Sequence, residues 1–278
     1  FGSYPLSQFA TPELRRICIV GNRGRMGRWF TEFFTRAGLS VGGVDVEDVD
    51  RLSKELAEAD AVLLSVPMGA VAELCRTLQP LLVPGQLLVE NCSIKSTALG
   101  LLESLAPEGV ETLGIHTMFG PSATSLAAQH VVVSRTQRSG RKADALEALL
   151  YKHGASIVHA TVQEHDAASA LLQSLLHLIL IALAETMRSE SATSDRLAQF
   201  GTPTSQAVVE RIERVLSQTD GLIEDLQRLN PKSSATRQLF SKVFAELARA
   251  VDQGDVARLL ESVAASRRYF NLPSPQET

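Results

Sequence analysis

The segment ICIVGNRGRMGRWF (17–30) constrains the fold of this chain more than any other. It reads as a short β-branched strand, a glycine-rich turn and the start of a helix. In the pattern G-x-G-x-x-G the three slots are Asn22, Gly24 and Gly27, and Gly21 stands beside the first. Asn is among the few residues that tolerate a positive φ. Such a turn lets a dinucleotide's phosphates approach the backbone at a helix N-terminus, so the segment predicts a dinucleotide-binding βαβ unit.

A carboxylate at the end of the second predicted strand indicates which dinucleotide binds. Asp45 lies 24 residues after Gly21, where a carboxylate accepts the adenosine ribose hydroxyls of NAD and repels the 2′-phosphate of NADP. Arg23 and Arg25 lie in the turn and can reach phosphate, including a 2′-phosphate. Asp45 favours NAD, and the two arginines leave NADP open.

Short apolar runs alternate with helical stretches through the first 160 residues. The predicted strands lie at 16–20, 39–46, 60–67, 86–93, 110–116, 130–135 and 155–160. The predicted helices lie at 26–37, 70–78, 97–105 and 141–153. Apolar strands separated by helices are typical of a parallel sheet covered on both faces. We therefore predict a Rossmann-type, doubly wound parallel sheet that forms a dinucleotide-binding domain over residues 15–160.

Strand-like runs stop after Thr161, and the rest of the chain has helical spacing. Three amphipathic helices are predicted at 205–229, 233–252 and 255–268. The segment 164–187 is apolar nearly all round, which requires burial on most sides. We therefore predict an all-α substrate and dimerisation domain at 161–278, packed against a second copy in a homodimer. Residues 1–14, with two prolines and small polar residues, read as a linker.

Composition excludes several classes of partner. The formal net charge is −4, and no basic run points to nucleic acid. Three scattered cysteines are too few for a disulfide framework or a metal site, and they fit a reducing, cytoplasmic compartment. The longest apolar run, 171–184, is interrupted by Gln173, Ser174 and His177 and is too short to span a bilayer. We expect no membrane, no signal peptide and no metal.

Polar side chains follow three successive predicted strands. Ser65 ends one strand, Ser93 and Lys95 follow the next, and His116 ends the third. The carboxyl ends of parallel strands meet at one edge, where ligands of doubly wound folds bind, so these side chains should converge on one crevice. A lone histidine is usually a core residue. Its position here favours a catalytic base, because a neutral imidazole accepts protons near physiological pH.

Six segments resemble prephenate dehydrogenases in order and spacing. They are VGNRGRMGR, SVP, NCSIK, HTMFGPSATSLA, EHDAASALLQSLLH and DQGD. Over residues 15–270 the chain is similar in particular to the dehydrogenase half of bifunctional chorismate mutase–prephenate dehydrogenases. The resemblance implies NAD-dependent oxidative decarboxylation in tyrosine biosynthesis. Hydride leaves ring C4 of prephenate for the nicotinamide, the C4 hydroxyl loses its proton, and the ring carboxylate departs as CO2, leaving a 4-hydroxyphenylpyruvate-type product.

The resemblance also implies roles for individual residues. His116 and Ser93 match catalytic residues: the histidine accepts the hydroxyl proton, and the serine hydrogen-bonds near that hydroxyl and the nicotinamide. The implied substrate-binding residues are Ser93, His116, Thr117, His177 and Arg214, with Arg214 expected to reach in from the other subunit. The expected cofactor-binding residues are Gly21, Asn22, Arg23, Gly24, Arg25, Met26, Gly27, Asp45, Ser65, Val66 and Pro67.

Two positions depart from the family pattern. Thr117 stands where the family usually has proline, and Leu176 stands where bifunctional relatives have an arginine that grips a substrate carboxylate. Losing a bidentate cation weakens the binding of a dianion unless another group compensates. Either the true substrate is an analogue, 4-amino-4-deoxyprephenate or arogenate, or Arg188, Arg196 or Arg214 replaces the lost contact.

Two further functions stay open at this point. A dehydrogenase of another small hydroxy acid, such as a β-hydroxyacid dehydrogenase, shares the two-part organisation. Its usual catalytic lysine on the first long helix is missing from 164–187. A cofactor-binding regulator would have kept the fold and lost turnover.

Overall fold

The computed structural model describes residues 14–45, 47–190 and 193–273. The chain divides between Pro231 and Lys232 into a large unit and a C-terminal unit. The predicted linker lies outside the described residues except for Leu14. The predicted domain boundary at residue 160 does not coincide with this division and stays a prediction.

A seven-stranded sheet forms the centre of the large unit. Its strands are β1 (Arg16–Val20), β2 (Ser40–Val44), β3 (Ala61–Leu64), β4 (Leu87–Glu90), β5 (Glu111–Thr117), β6 (His130–Arg135) and β7 (Ser156–His159). The helices between them are α1 (Arg25–Arg36), α2 (Val49–Ala57), α3 (Val71–Leu78), α4 (Lys95–Leu105) and α5 (Arg141–Lys152). The predicted alternation of strands and helices is confirmed, and α2 is an addition that the sequence did not predict.

The strand order is β2-β1-β3-β4-β5-β6-β7, and β1 to β5 are parallel. β6 pairs with β5 in antiparallel fashion, and β7 runs parallel to β6. Parallel neighbours need a long crossover, usually helical, but 118–129 connects β5 to β6 without a helix and turns the chain back. The Rossmann-type, doubly wound class is therefore confirmed, with β6 and β7 running antiparallel to the other five strands.

Helices cover both faces of the sheet. One apolar layer contains four aromatic side chains of α1 and side chains of α5, and the other contains side chains of α2, α3 and α4. The chain leaves β1 in one direction to reach β2, then returns past β1 to β3. The crevice between the carboxyl ends of β1 and β3 is thus the topological switch point, where open α/β sheets bind ligands.

The chain after β7 is helical, as predicted. In the large unit it forms α6 (Val162–Ser169), a π-helical segment (Ala170–Leu175), α7 (Leu176–Ser189), α8 (Ser194–Ala198), α9 (Pro203–Leu216) and α10 (Asp220–Arg228). The C-terminal unit contains α11 (Ser233–Asp252) and α12 (Val256–Tyr269), which meet at Gly254 with φ of +74°. The helix predicted at 205–229 is broken by a corner at 217–219.

The continuous helix Val162–Ser189 is 28 residues long and apolar enough to cross a membrane by length and composition alone. Core helices of soluble proteins pass the same test, but only 28% of its most apolar stretch is buried within the described chain. The expected burial on most sides is therefore not met within a single copy. Leu172, Leu176 and Leu183 leave an apolar stripe on its surface.

Gly27 allows α1 to pack against the glycine turn. A Cβ added at Gly27 would lie 2.0 Å from the carbonyl oxygen of Gly21 and 2.8 Å from Cα of Asn22. Backbone atoms cannot yield as a flexible side chain does. We expect Gly27→Ala to lower the free energy of unfolding by about 2–3 kcal/mol, the usual cost of overpacking, in equilibrium urea denaturation.

Gly100 provides the matched control for that substitution. It lies exposed within α4, where an added Cβ meets no described atom within 4 Å. We expect Gly100→Ala to raise the free energy of unfolding by about 0.5–1 kcal/mol, because alanine loses less conformational entropy in a helix. Equal stability of the two variants would contradict the packing argument.

Candidate active site

A cavity of about 600 Å³ opens in the large unit where the carboxyl ends of β3, β4 and β5 face the helices that follow β7. Ten of the residues predicted for the site line it: Arg25, Met26, Ser65, Val66, Pro67, Ser93, His116, Thr117, His177 and Arg214. The strand ends thus converge on one crevice, as the sequence predicts. The roles assigned to these residues stay predictions.

The other six predicted residues lie beside the cavity, at the turn after β1 and the end of β2. They are Gly21, Asn22, Arg23, Gly24, Gly27 and Asp45. The positive φ of the turn belongs to Gly21, at +85°, and not to Asn22 as the slot pattern suggested. A Cβ at Gly21 would lie 2.4 Å from the carbonyl oxygen of Ser65, so the glycine brings the turn against the end of β3. The amide of Asn22 packs over Gly43 instead.

Carboxylates surround Arg23. Its guanidinium lies 2.5 Å from Glu47 and 2.9 Å from Asp48, and its backbone amide donates to Asp45 at 3.1 Å. This side chain pairs with two acids, and the prediction that it can reach a 2′-phosphate stays a prediction. Arg25, in contrast, is exposed at the start of α1 and lines the cavity.

His116 is 4% exposed at the end of β5 and reaches the cavity wall. Its Nδ1 lies 2.8 Å from Nε2 of His165 in α6, and Nδ1 of His165 lies 2.8 Å from a carboxylate oxygen of Asp166. The same carboxylate accepts hydrogen bonds from the backbone amides of Lys95, at 2.8 Å, and Ser96, at 2.9 Å. The sequence analysis missed His165 and Asp166 as site residues. Their adjacency at the start of a long apolar helix was the available signal.

Opposing effects set the charges in this buried cluster. Burial lowers the pKa of His116 well below its usual value, and the Lys95 ammonium and His165 lower it further, against the effect of Asp166. Burial alone would raise the pKa of Asp166, but hydrogen bonds from His165 and from the amides that begin α4 hold it at about 2. At neutral pH the cluster therefore combines a neutral His116, able to accept a proton, with an ionised carboxylate.

Lys95 does not join the crevice as its place after β4 predicted. Its ammonium is fully buried, 2.7 Å from Glu90 and 2.5 Å from the carbonyl oxygen of Ile115. Glu90 in turn accepts from the backbone amide of Cys92 at 2.7 Å. The ammonium thus bridges the ends of β4 and β5. The charges are paired because a single buried charge without a partner would be strongly destabilising.

The loop after β5 supplies another wall of the cavity, through Met118, Phe119 and Ser122. The indole of Trp29 in α1 packs against Phe119, with the ring centroids 4.9 Å apart, and donates a hydrogen bond to the carbonyl oxygen of Ala123 at 2.6 Å. The aromatic face of α1 therefore holds this loop in place beside the start of the same helix.

The π-helical segment orients the helical wall. In an α-helix, residues four apart are rotated about 40° beyond a full turn around the helix axis. A π-helical segment, with hydrogen bonds between residues five apart, has more residues per turn and offsets this rotation. His165, Ser169, Gln173 and His177 thereby share one face, and Ser169 donates to Gln173 at 2.7 Å. Nδ1 of His177 is buried with no hydrogen-bond partner among the described residues.

Leu176 does not line the cavity, although its neighbour His177 does. Its side chain is 46% exposed on the apolar stripe of α7. Residue 176 therefore lies outside the cavity of its own chain, and the substrate contact expected of an arginine at this position stays a prediction. The side of the helix on which residue 176 lies depends on the π segment just before it, which the sequence pattern did not predict.

Of the three arginines proposed to compensate, Arg214 alone lines the cavity. It does so in its own chain, at the end of α9, whereas the family resemblance predicted a contribution from the other subunit. Arg188 pairs with Glu185, and Arg196 lies over the ring of Phe200. Cavity residues that the sequence analysis missed are Asn91, Met118, Phe119, Gln173, Gln218 and Asp225.

Known solved structures share the fold of this chain. Prephenate dehydrogenase from Aquifex aeolicus, solved with hydroxyphenyl propionate and NAD+, superposes with a TM-score of 0.75 at 16% identity, covering 94% of this chain and 99% of that chain. At this identity the likeness establishes the fold.

Sequence relatives extend over most of the chain. A probable arogenate/prephenate dehydrogenase of Methanocaldococcus jannaschii is 24% identical over 91% of this chain, which spans 60% of that relative's length. A 4-amino-4-deoxyprephenate dehydrogenase of Streptomyces pristinaespiralis is 29% identical, with 86% of both chains aligned.

Two family models match adjoining parts of the chain. Residues 31–159 match the prephenate dehydrogenase nucleotide-binding domain, and residues 161–265 match the prephenate dehydrogenase dimerization domain. The two matches follow each other in the order of the sheet and the helices described above. The chain belongs to the prephenate dehydrogenase family.

Proposed function

We propose that this protein catalyses the NAD-dependent oxidative decarboxylation of prephenate or a close cyclohexadienyl analogue. The observation that carries the proposal is the position of His116. A buried, neutral imidazole near the end of β5 lines the same cavity as Ser93 and the first residues of α1. Aromatisation of a cyclohexadienyl ring needs a base at the C4 substituent and a hydride acceptor at C4, and this edge of the sheet provides for both.

The start of α1 fits a dinucleotide. No side chain caps the N-terminus of the helix at Gly24, so the amides of its first turn are open to the phosphates. Gly21 packs against the backbone at the end of β3 and Gly27 packs against the turn itself, so a Cβ at either position would clash with backbone. Arg25 is exposed beside these amides. When bound, NAD+ supplies the hydride acceptor.

Three carboxylates support NAD as the cofactor over NADP. Asp45, Glu47 and Asp48 lie together after β2, and Arg23 compensates part of their charge. A 2′-phosphate placed here would face more negative than positive charge, whereas ribose hydroxyls can donate to the carboxylate of Asp45.

The remaining roles follow from placement in the cavity. His116 accepts the proton of the C4 hydroxyl, and Ser93 lies beside it to orient that hydroxyl. Arg214 and His177 line the cavity and would bind the substrate carboxylates; Nδ1 of His177 is buried without a partner among the described residues. As the C–C bond to the ring carboxylate breaks, its electron pair enters the ring, hydride leaves C4 and CO2 departs.

A second candidate substrate class carries an amino group: 4-amino-4-deoxyprephenate or arogenate. The cavity contains hydrogen-bond acceptors in addition to cations, namely Asp225 and the side-chain oxygen of Gln218, which is buried without a partner among the described residues. An ammonium group offers three donors to such acceptors. The relative from Streptomyces pristinaespiralis, named for the 4-amino compound and aligned over 86% of both chains, supports the same class.

We further propose a cytoplasmic homodimer. The apolar stripe of Leu172, Leu176 and Leu183 is exposed in the single chain, and the dimerization-domain match covers it. A second copy would bury this stripe and so meet the sequence expectation for an all-round apolar helix.

The substrate class is tested by steady-state kinetics on prephenate, arogenate and 4-amino-4-deoxyprephenate, followed by NADH absorbance. If Gln218 accepts from an ammonium group, Gln218→Leu should raise KM for the amino compounds about tenfold, the effect of one hydrogen bond to a charged group. KM for prephenate serves as the internal control and should not change. A wild-type preference for prephenate by a wide margin would contradict the amino-substrate candidate.

His116→Asn tests the base directly. We expect kcat to fall about 10²- to 10⁴-fold, the usual contribution of a general base, while the Kd for NAD+ changes less than about twofold. His130→Asn, an exposed histidine at the start of β6, is the matched control and should retain wild-type kcat. Wild-type protein that binds NAD+ but turns over none of the three compounds would favour the regulator over the enzyme.

Asp45→Ala tests the cofactor. We expect KM for NAD+ to rise about 10- to 100-fold through loss of charge-assisted hydrogen bonds, and the preference for NAD+ over NADP+ to shrink. Asp50→Ala, an exposed acid in the first turn of α2, is the control and should leave both constants unchanged. A wild-type preference for NADP+ would contradict the role given to Asp45.

A further inference from the structure

We infer that His165 and Asp166 are positioning residues that fix which nitrogen of His116 accepts the substrate proton. The inference rests on the proposed function only in giving His116 the role of base. It assigns a role to two residues of α6 that the sequence analysis quoted only for the family resemblance.

The hydrogen bonds determine the tautomers one after another. The carboxylate of Asp166 can only accept, so Nδ1 of His165, 2.8 Å away, carries the proton. Neutral His165 then has a lone pair on Nε2, which lies 2.8 Å from Nδ1 of His116. Nδ1 of His116 must therefore be the donor. Its Nε2 keeps the lone pair that a base needs.

The carboxylate that begins this series is itself fixed in place. Asp166 accepts the backbone amides of Lys95 and Ser96, the first two residues of α4. These bonds and the positive end of the helix dipole favour its ionised form. Ser169, one turn further along α6, donates its hydroxyl proton to Gln173 at 2.7 Å, and its oxygen lies 3.3 Å from the carbonyl oxygen of Ser93. The same helix thus contacts the base through His165 and the neighbouring serine through Ser169.

The same groups act on the charge that His116 acquires when it accepts a proton. Lys95 from α4 opposes an imidazolium, but Glu90 from β4 pairs with that ammonium at 2.7 Å. His165 also opposes the charge, and Asp166 favours it. Asp166 is thus the nearby group that stabilises protonated His116 through the intervening imidazole. The substrate proton needs to travel no further than Nε2 of His116.

Imidazole ¹⁵N NMR tests the inference without requiring turnover. The chain has six histidines, and variants at positions 116 and 165 assign the two signals. In the wild-type protein we expect neutral rings with the proton on Nδ1 at both positions. In His165→Leu, His116 loses its acceptor and should shift toward the Nε2–H tautomer, with kcat about 10- to 100-fold lower. The Kd for NAD+ should stay within about twofold.

His165→Gln provides the rescue. Its side-chain oxygen can accept from Nδ1 of His116, so this variant should keep the Nδ1–H tautomer and recover most of the lost kcat. His159→Asn, which removes a histidine paired with Glu147 at 2.7 Å on β7, is the control and should change neither readout.

Two results would overturn the inference: wild-type His116 protonated on Nε2, or His165→Leu with an unchanged tautomer and unchanged kcat. If His165→Leu does not fold, the wild-type spectrum and His165→Gln decide. The expected tautomers in a wild-type protein without turnover would support the positioning role and count against the proposed function.

Discussion

The bonds from the carboxylate of Asp166 to the first two amides of α4 organise the rest of the site. They join α6 to the turn that follows β4, at the edge where the parallel strands end. Without these bonds, the first two amides of α4 would be buried with no hydrogen-bond acceptor. Each unsatisfied amide would lower the stability of the fold by about 1–3 kcal/mol. Asn230 adds to this link, since its side chain donates to the backbone carbonyl of Asp166 at 2.8 Å.

The buried ion pair of Lys95 and Glu90 is a second interaction at the same edge of the sheet, where it joins the start of α4 to the ends of β4 and β5. Two opposite charges in a dry interior stabilise little, because desolvation offsets their attraction. Their effect here is local: the ammonium bonds to the carbonyl of Ile115, next to His116, and disfavours protonation of that histidine. Burial first, and this ammonium second, lower the pKa of His116 and keep its imidazole neutral, whereas the ionised Asp166 acts in the opposite direction.

Sequence patterns predicted the sheet and the convergence of strand ends because both follow from local periodicity. Parallel strands separated by helices place Ser65, Ser93 and His116 at one edge regardless of details elsewhere. Side-chain direction is another matter. Arg23 is close in sequence to any bound phosphate, yet Glu47 and Asp48, on the next strand's loop, determine where it points. His165 is 49 residues from His116, and only tertiary packing brings the two rings together.

The long helix shows why a substitution at one position is hard to interpret from the sequence. The π segment changes the angle at which later side chains leave the helix. One face therefore carries His165, Ser169, Gln173 and His177, and Leu176 lies on the exposed surface. An arginine at 176 would therefore extend from the apolar stripe that we assign to the dimer contact, and not into the cavity of its own chain. We therefore expect the substrate preference to depend on the groups that line the cavity and not on Leu176. Arg214 provides positive charge for a carboxylate, and Gln218 and Asp225 provide acceptors. Under the proposed function, a dianion such as prephenate would draw mainly on the arginine, whereas a substrate with an ammonium group would draw on the acceptors as well.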